Sequence, residues 1–244
     1  MRHVDLVWYI PTPLLLLMAI ILARRQAHRT FPWFFAYCVF GVAADSIRFV
    51  TRGHPFLYSW TYWLTEGGYD VLGLATMYEV VTRVANTFKG SRRIQLLFAL
   101  LFIVAAAISA GRAHAMPPQF GHGLAFYVMI GEIAVRLVQV TVFATLVTLV
   151  PLVGLRWRQY SFGIATGFGL YATVALIVTA KFSDFGTKFT FFWSLTSLVA
   201  YSVAVLIWIW FFSVPQKTET PGSELSAPTP ADLQRYKDAL RRMR

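Results

Sequence analysis

Apolar residues run along this chain in long unbroken blocks, separated by short stretches that gather Arg, Pro, Gly and His. A block of about 20 apolar residues crosses a ~30 Å hydrocarbon layer as a helix. Seven such blocks occur, over residues 6–23, 31–50, 59–82, 94–110, 123–150, 161–180 and 189–213. Lipid offers no partner for an open peptide group, which leaves helices or a closed barrel. Blocks this long and this uniformly apolar exclude the short alternating strands of a barrel. The pattern predicts an all-α fold, a polytopic membrane protein built as a seven-helix transmembrane bundle.

Composition narrows the function classes. Of 244 residues, 57% are hydrophobic and 14% charged, with mean hydropathy +0.57. Ordinary soluble domains carry roughly a quarter charged residues, so a soluble enzyme, a nucleic-acid-binding domain and a disordered chain are excluded. The net charge of +11 then points to anionic lipid of the inner leaflet, with no nucleic-acid partner. Placing the amino terminus outside puts 15 Lys and Arg on the inner side against five outside, with Arg48 and Arg136 inside spans. That asymmetry predicts an outer amino terminus and a cytoplasmic carboxyl terminus. The first span is expected to be retained, because Arg24, Arg25 and Arg29 follow it and no small-residue cleavage site precedes Arg24. The single cysteine, Cys38, has no internal disulfide partner.

Three segments are expected: a transmembrane domain over 1–214, a flexible linker over 215–230, and a basic amphipathic cytoplasmic helix over 231–244. The linker sequence PQKTETPGSELSAPTP is rich in breakers and has no apolar period. Beyond it Leu233, Tyr236, Leu240 and Met243 recur at three- and four-residue steps among Arg235, Lys237, Arg241, Arg242 and Arg244. Such a stripe suits the membrane surface or a protein partner.

The informative residues are the ionisable ones within spans, which cost ~2.5–3.5 kcal/mol each on insertion scales and normally face a bundle interior or water. Asp45 and Arg48 lie three apart on one face of span two and are expected to pair. Glu66 and Asp70 share a face of span three, with Glu79 roughly opposite and nearer the cytoplasm. Glu132 and Arg136 lie four apart in span five, with opposite signs. Counting the helical rise from the outer ends puts Asp45, Arg48 and Glu66 in the outer third and Asp70 and Glu132 near the middle. These positions predict one outward-opening polar cavity. Asp45, Glu66, Asp70 and Glu132 outnumber Arg48 and Arg136 by two, so the site holds a cation or keeps carboxyls protonated. Gly67, Gly68 and Gly73 are expected to leave room beside the carboxyls. Gly163 and Gly167 form a small-xxx-small helix-packing face, and aromatic residues at span ends, among them Tyr62 and Trp63, form an interfacial belt.

Other chemistry has no residues to carry it. No histidine lies within a span and no lysine lies at mid-depth of the last span, so neither an embedded haem nor a retinal is expected. Patterns for nucleophilic hydrolysis, zinc and nucleotides are missing. Tyr69-Asp70 looks like the YD of intramembrane aspartyl proteases, but their GxGD partner motif does not follow. A non-enzyme without cofactor or metal is expected.

Arg24-Arg25, Phe31-Pro32-Trp33-Phe34-Phe35-Ala36-Tyr37, Tyr62-Trp63-Leu64-Thr65-Glu66 and Gly167-Phe168-Gly169-Leu170-Tyr171-Ala172 together resemble an uncharacterised group of small, acidobacterial-type multi-pass membrane proteins. The resemblance implies a bacterial cytoplasmic (inner) membrane and no particular activity. A fainter echo pairs Phe40-Gly41 and Tyr62-Trp63 with Phe168-Gly169 and Phe192-Trp193. It predicts spans one to three and five to seven as parallel repeats, an arrangement similar to that of small sugar transporters of the SWEET type. The expected function is transport of a proton, small cation or small polar metabolite. The alternative is a non-enzymatic receptor or assembly subunit acting through a cytoplasmic partner of the tail helix.

Overall fold

The computed structural model describes residues 10–86, 91–113, 124–152, 160–185 and 190–214, and all regular structure there is helical. In chain order the helices are α1 (Pro11–Arg24), α2 (Pro32–Thr51), α3 (Pro55–Asn86), α4 (Ser91–Ala113), α5 (Leu124–Leu152), α6 (Tyr160–Phe185) and α7 (Thr190–Ser213), with a 3-10 turn at Ala27–Arg29. The tail, with the stripe expected at Leu233, Tyr236, Leu240 and Met243, lies outside the described residues.

Four helices contain stretches long and apolar enough to cross a membrane: Pro32–Thr51, Phe126–Thr148, Tyr160–Thr179 and Ser194–Ser213. The other three depart from that pattern for visible reasons. At about 1.5 Å per residue, the 14 residues of α1 fall short of the layer, and the rest of its expected block, 6–9, is not described. Helix α4 has a shorter apolar stretch, Phe98–Gly111. Helix α3 is the longest at 32 residues, but its apolar run is interrupted by Glu66, Asp70, Glu79 and Arg83. The outward faces of several helices carry large apolar side chains, as with Leu16, Leu17 and Ile20 on α1, Leu100, Ile103 and Ile108 on α4, and Val199, Val203, Leu206 and Trp210 on α7. Exposed apolar faces of this extent on α1, α4 and α7 mark surfaces that lipid or another protein covers.

Proline starts three of these helices at Pro11, Pro32 and Pro55, where a missing N–H costs nothing because the first turn has no intrahelical acceptor. Between α1 and α2 the chain reverses through Gln26, whose φ of 54° is left-handed. The helix ends near this turn meet: the Arg25 side chain donates to the last-turn carbonyl of Ser213 on α7 at 2.5 Å, and Phe31 packs edge-on against Tyr160 of α6 and Phe212 of α7. Arg83 of α3 lies over the Phe31 ring, 4.7 Å from its centroid.

Neighbouring helices form a closed ring: α1 packs on α2, α2 on α3, α3 on α5, α5 on α6, α6 on α7 and α7 back on α1. Helix α4 lies against α3 and α5, and α3 also reaches α6. Carrying α1–α2–α3 onto α5–α6–α7 maps each ring contact onto another. The echo at Phe40-Gly41 and Phe168-Gly169 has a counterpart here, because Gly41 faces Leu15 of α1 and Gly169 faces Phe143 of α5. The core at the arginine-rich end is aromatic: Phe34, Phe168, Trp208 and Phe212 are fully buried and in ring contact with one another.

Gly163 and Gly167 pack α6 on α7 in a specific way. A Cβ at Gly163 would overlap the ring of Phe211, and one at Gly167 would overlap the indole of Trp208. The small residues therefore accept aromatic rings, where the sequence pattern led us to expect close approach of two backbones. Trp208 completes the contact by donating its indole N–H to the Ile164 carbonyl at 3.2 Å.

Candidate functional site

The candidate site is built where α2, α3, α5 and α6 converge, toward the end of the bundle opposite the arginine-rich turn. Arg48 on α2 reaches across to α3. Its Nη2 lies 3.0 Å from Glu66 Oε1, its Nε donates to Thr65 Oγ1 at 2.7 Å, and its guanidinium sits 4.8 Å from the centre of the Tyr62 ring. These contacts fix the side chain from three directions. The expected Asp45–Arg48 pair does not form: Asp45 Oδ2 instead accepts from Thr12 Oγ1 of α1 at 2.6 Å. On a helix, residues three apart share a face, but here that face meets two different neighbours, and each side chain follows its own.

On α5 the expected pair does form, with Arg136 Nη2 3.3 Å from Glu132 Oε1. Arg136 also donates to Gln139 Oε1 at 3.3 Å and to the Tyr171 hydroxyl at 3.4 Å, and lies 4.4 Å from the centre of the Tyr171 ring. All three hydrogen bonds are long. Its Nε is buried without a hydrogen-bond partner, although the residue is only 7% exposed. Arg48 is thus clamped and Arg136 loosely held.

Asp70 occupies the middle of this group. It is 8% exposed, and its Oδ2 is 3.8 Å from where a Cβ on Gly131 of α5 would stand. It feels the charges of Arg136, Glu132 and Glu66, yet no hydrogen bond or ion pair joins it to any described residue. The other described acidic side chains all have a partner: Asp45 has Thr12, Glu66 has Arg48, Glu132 has Arg136 and Glu79 has a backbone N–H. Five of the six candidate charges therefore share one electrostatic cluster, and Asp45 joins its edge through Arg48 and Tyr69.

Glu79 stands apart. Its Oε2 accepts the N–H of Phe34 at 3.3 Å, in the first turn of α2, whose own preceding residue Phe31 makes no capping bond. A carboxylate from α3 thus caps α2, satisfying an orphan donor and favouring the helix dipole. Glu79→Ala is expected to lower stability by about 1 kcal/mol, and Glu79→Gln to retain most of it, in thermal unfolding of the detergent-solubilised protein. Equal losses in the two variants would contradict a capping role.

Several contributors were not legible in the sequence. Tyr62, assigned there to the interfacial belt, turns inward over Arg48. Tyr37 donates to the Tyr201 hydroxyl at 3.2 Å, and Gln139 is 1% exposed beside Arg136. A signal for Gln139 does exist, since a polar residue three positions from Arg136 shares its face. The tyrosines carried none, because an aromatic ring within an apolar span reads equally well as packing or as lipid contact.

The glycines near the carboxyls divide into two kinds. At Gly68 a Cβ would overlap the Phe40 ring, and at Gly73 it would come within 3.1 Å of Gln139 Nε2. Those two positions are filled by neighbours, contrary to the expectation of free room. Gly67 and Gly131 are in ordinary packing contact: among the described residues a Cβ at Gly67 would meet only Val128, and one at Gly131 only Asp70, both at 3.8 Å.

Comparison with protein-family models, with curated proteins and with solved structures finds no match to this chain.

Proposed function

We propose that the chain is a seven-span membrane protein, amino terminus outside and carboxyl terminus inside, that moves protons or a small cation through the polar cluster between α2, α3, α5 and α6. The observation that carries this reading is Asp70, a carboxyl nine-tenths buried with no hydrogen bond or ion pair to a described residue. Burial of an unpaired carboxylate is costly, and the cost is removed by a bound proton or cation. A group poised between those states can load on one side and release on the other. The neighbouring charges fit supporting roles. Arg48 and Glu66 neutralise each other and brace α2 against α3, while Arg136 and Glu132 form a looser pair next to Asp70.

The aromatic core of Phe34, Phe168, Trp208 and Phe212 fills the arginine-rich half of the bundle. With the positive-inside assignment, that half is the cytoplasmic one. The cluster then communicates with the outside, where Glu132 retains 35% side-chain exposure. The resemblance to small bacterial multi-pass proteins supports the bacterial inner membrane as the site of action.

Proton entry into proteoliposomes under an imposed pH gradient tests the reading. Asp70→Asn is expected to reduce the flux at least tenfold, while the variant keeps wild-type thermal stability or exceeds it. Unchanged flux in a folded Asp70→Asn protein, or no flux in wild type under any gradient, would contradict the proposed role.

A further inference from the structure

We infer that Arg136 is a shared counter-ion that alternates between Glu132 and Asp70, and so decides which of the two carboxyls carries the proton. This rests on the reading of Asp70 as a proton site, and it adds the residues that load and unload that site.

Three observations converge on Arg136. Its hydrogen bonds to Glu132 Oε1, Gln139 Oε1 and the Tyr171 hydroxyl measure 3.3, 3.3 and 3.4 Å, whereas Arg48 donates to Thr65 and Glu66 at 2.7 and 3.0 Å. Bonds of that length fix a guanidinium weakly. Its Nε is buried and donates to no described residue, in a side chain that belongs to the interior at 7% exposure. Asp70 is the complementary case, a buried carboxyl that accepts from no described residue and packs against α5 at Gly131, next in sequence to Glu132. Arg136 and Asp70 each feel the other's charge. A donor without an acceptor and an acceptor without a donor therefore lie within electrostatic reach on facing helices. Each is costly to bury alone, and the cost falls when they meet.

Charge counting explains why Arg136 is shared. Arg48 is engaged with Glu66 and Asp45 with Thr12, which leaves Arg136 between two carboxyls, Glu132 and Asp70. Besides Arg136, Glu132 and Glu66 act on Asp70. Tyr171 faces the group from α6 and Tyr37 from α2, and the described side chains of α4 include no ionisable group. One guanidinium neutralises one carboxylate, so the other holds a proton. In the structure Arg136 sits with Glu132, and the proton belongs to Asp70. When Arg136 turns its Nε edge to Asp70, Glu132 loses its counter-ion and, at 35% side-chain exposure, takes a proton from outer water. As Arg136 returns, the Glu132 O–H bond breaks and an O–H bond forms at the Asp70 carboxylate, with the charge of the cluster unchanged. The Tyr171 ring, 4.4 Å from the guanidinium, supports Arg136 in both positions, because attraction to a ring face needs no fixed hydrogen-bond direction.

The test is labelling of the full-length protein in detergent with dicyclohexylcarbodiimide, an apolar reagent that adds to a carboxyl carrying its proton, with the adduct at Asp70 read by peptide mass spectrometry. Asp70 is expected to label in wild type. Glu132→Gln removes the competing carboxylate and leaves Arg136 with Asp70, so labelling of Asp70 is expected to slow about tenfold. Arg136→Gln removes the counter-ion and is expected to label at least as fast as wild type. Arg136→Lys keeps a charge and is expected to stay near the wild-type rate. Loosened packing would admit the reagent faster in every variant, so slower labelling in Glu132→Gln does not come from damage. Glu132→Gln is nearly isosteric and reports on the switch even where Arg136→Gln does not fold. Unchanged or faster labelling of Asp70 in Glu132→Gln, or none in wild type, would overturn the inference. Proton flux that still depends on Asp70 would in that event leave the proton reading standing. Slowed labelling in Glu132→Gln without flux in wild type would support the switch and overturn the transport reading.

Discussion

Arg136→Ala is expected to cost about 1.5–3 kcal/mol of stability, the range for hydrogen bonds to charged groups. Arg136 is 7% exposed and faces two carboxyls, Glu132 at 3.3 Å and, through its charge, Asp70. Its loss leaves Asp70 in the interior, and Glu132 at its 35%-exposed edge, without a nearby cation. The penalty therefore comes less from the ion pair than from what remains when half of it is gone. Two companion variants separate these terms. Arg136→Ala with Glu132→Gln is expected to recover part of the loss, because one stranded carboxylate is gone. Arg136→Lys keeps a charge but not the planar fork that also contacts Gln139 and the Tyr171 ring, so its stability should fall between wild type and Arg136→Ala. Thermal unfolding in detergent, compared across the series, is the measurement. Wild-type stability in Arg136→Ala would show that the pair carries no net energy.

Trp208→Ala is expected to destabilise more, by about 3–5 kcal/mol, and for a different reason. Trp208 is completely buried and its indole fills the face left open by Gly167, so truncation opens a cavity in the middle of the α6–α7 contact. It also removes the indole's hydrogen bond to the Ile164 carbonyl. Trp208→Phe retains most of the volume and loses that one hydrogen bond, at about 1 kcal/mol. In a membrane there is no hydrophobic drive between helices, and packing of this kind is what holds them together. A small effect of Trp208→Ala would mean that α6 and α7 are held instead by the rest of the aromatic core.

How much of this was readable beforehand differs by level. The helical blocks were legible because length and apolarity suffice to define them, and α2, α5, α6 and α7 lie within a few residues of their expected bounds. Helix α3 was legible as an element but violates the pattern by carrying four charges. That exception marks the site, since each intramembrane charge had to be facing something. The Glu132–Arg136 pair could be seen because both ends lie on one helix at a spacing set by helical geometry. The Asp45–Arg48 pair failed because local spacing states which residues could meet, and tertiary neighbours offered each a better one: Thr12 on α1 and Glu66 on α3.

The glycines make the same point from packing. Gly67, Gly68 and Gly73 look alike in the sequence, and nothing local distinguishes the position with room for a methyl group from the two without. What covers a glycine depends on the ring or amide opposite it: Phe40 for Gly68, Gln139 for Gly73, and no described atom nearer than 3.8 Å for Gly67. The sequence by itself determined an all-helical chain of membrane-like composition, its charge asymmetry and the short set of residues able to carry chemistry in lipid, because these follow from additive properties of segments. Only the tertiary structure decided which of those charges are paired, that Glu79 is a helix cap, and that Asp70 is buried with no hydrogen-bond or ion-pair partner among the described residues. Pairing is a property of two elements at once, and a one-dimensional pattern records only one of them.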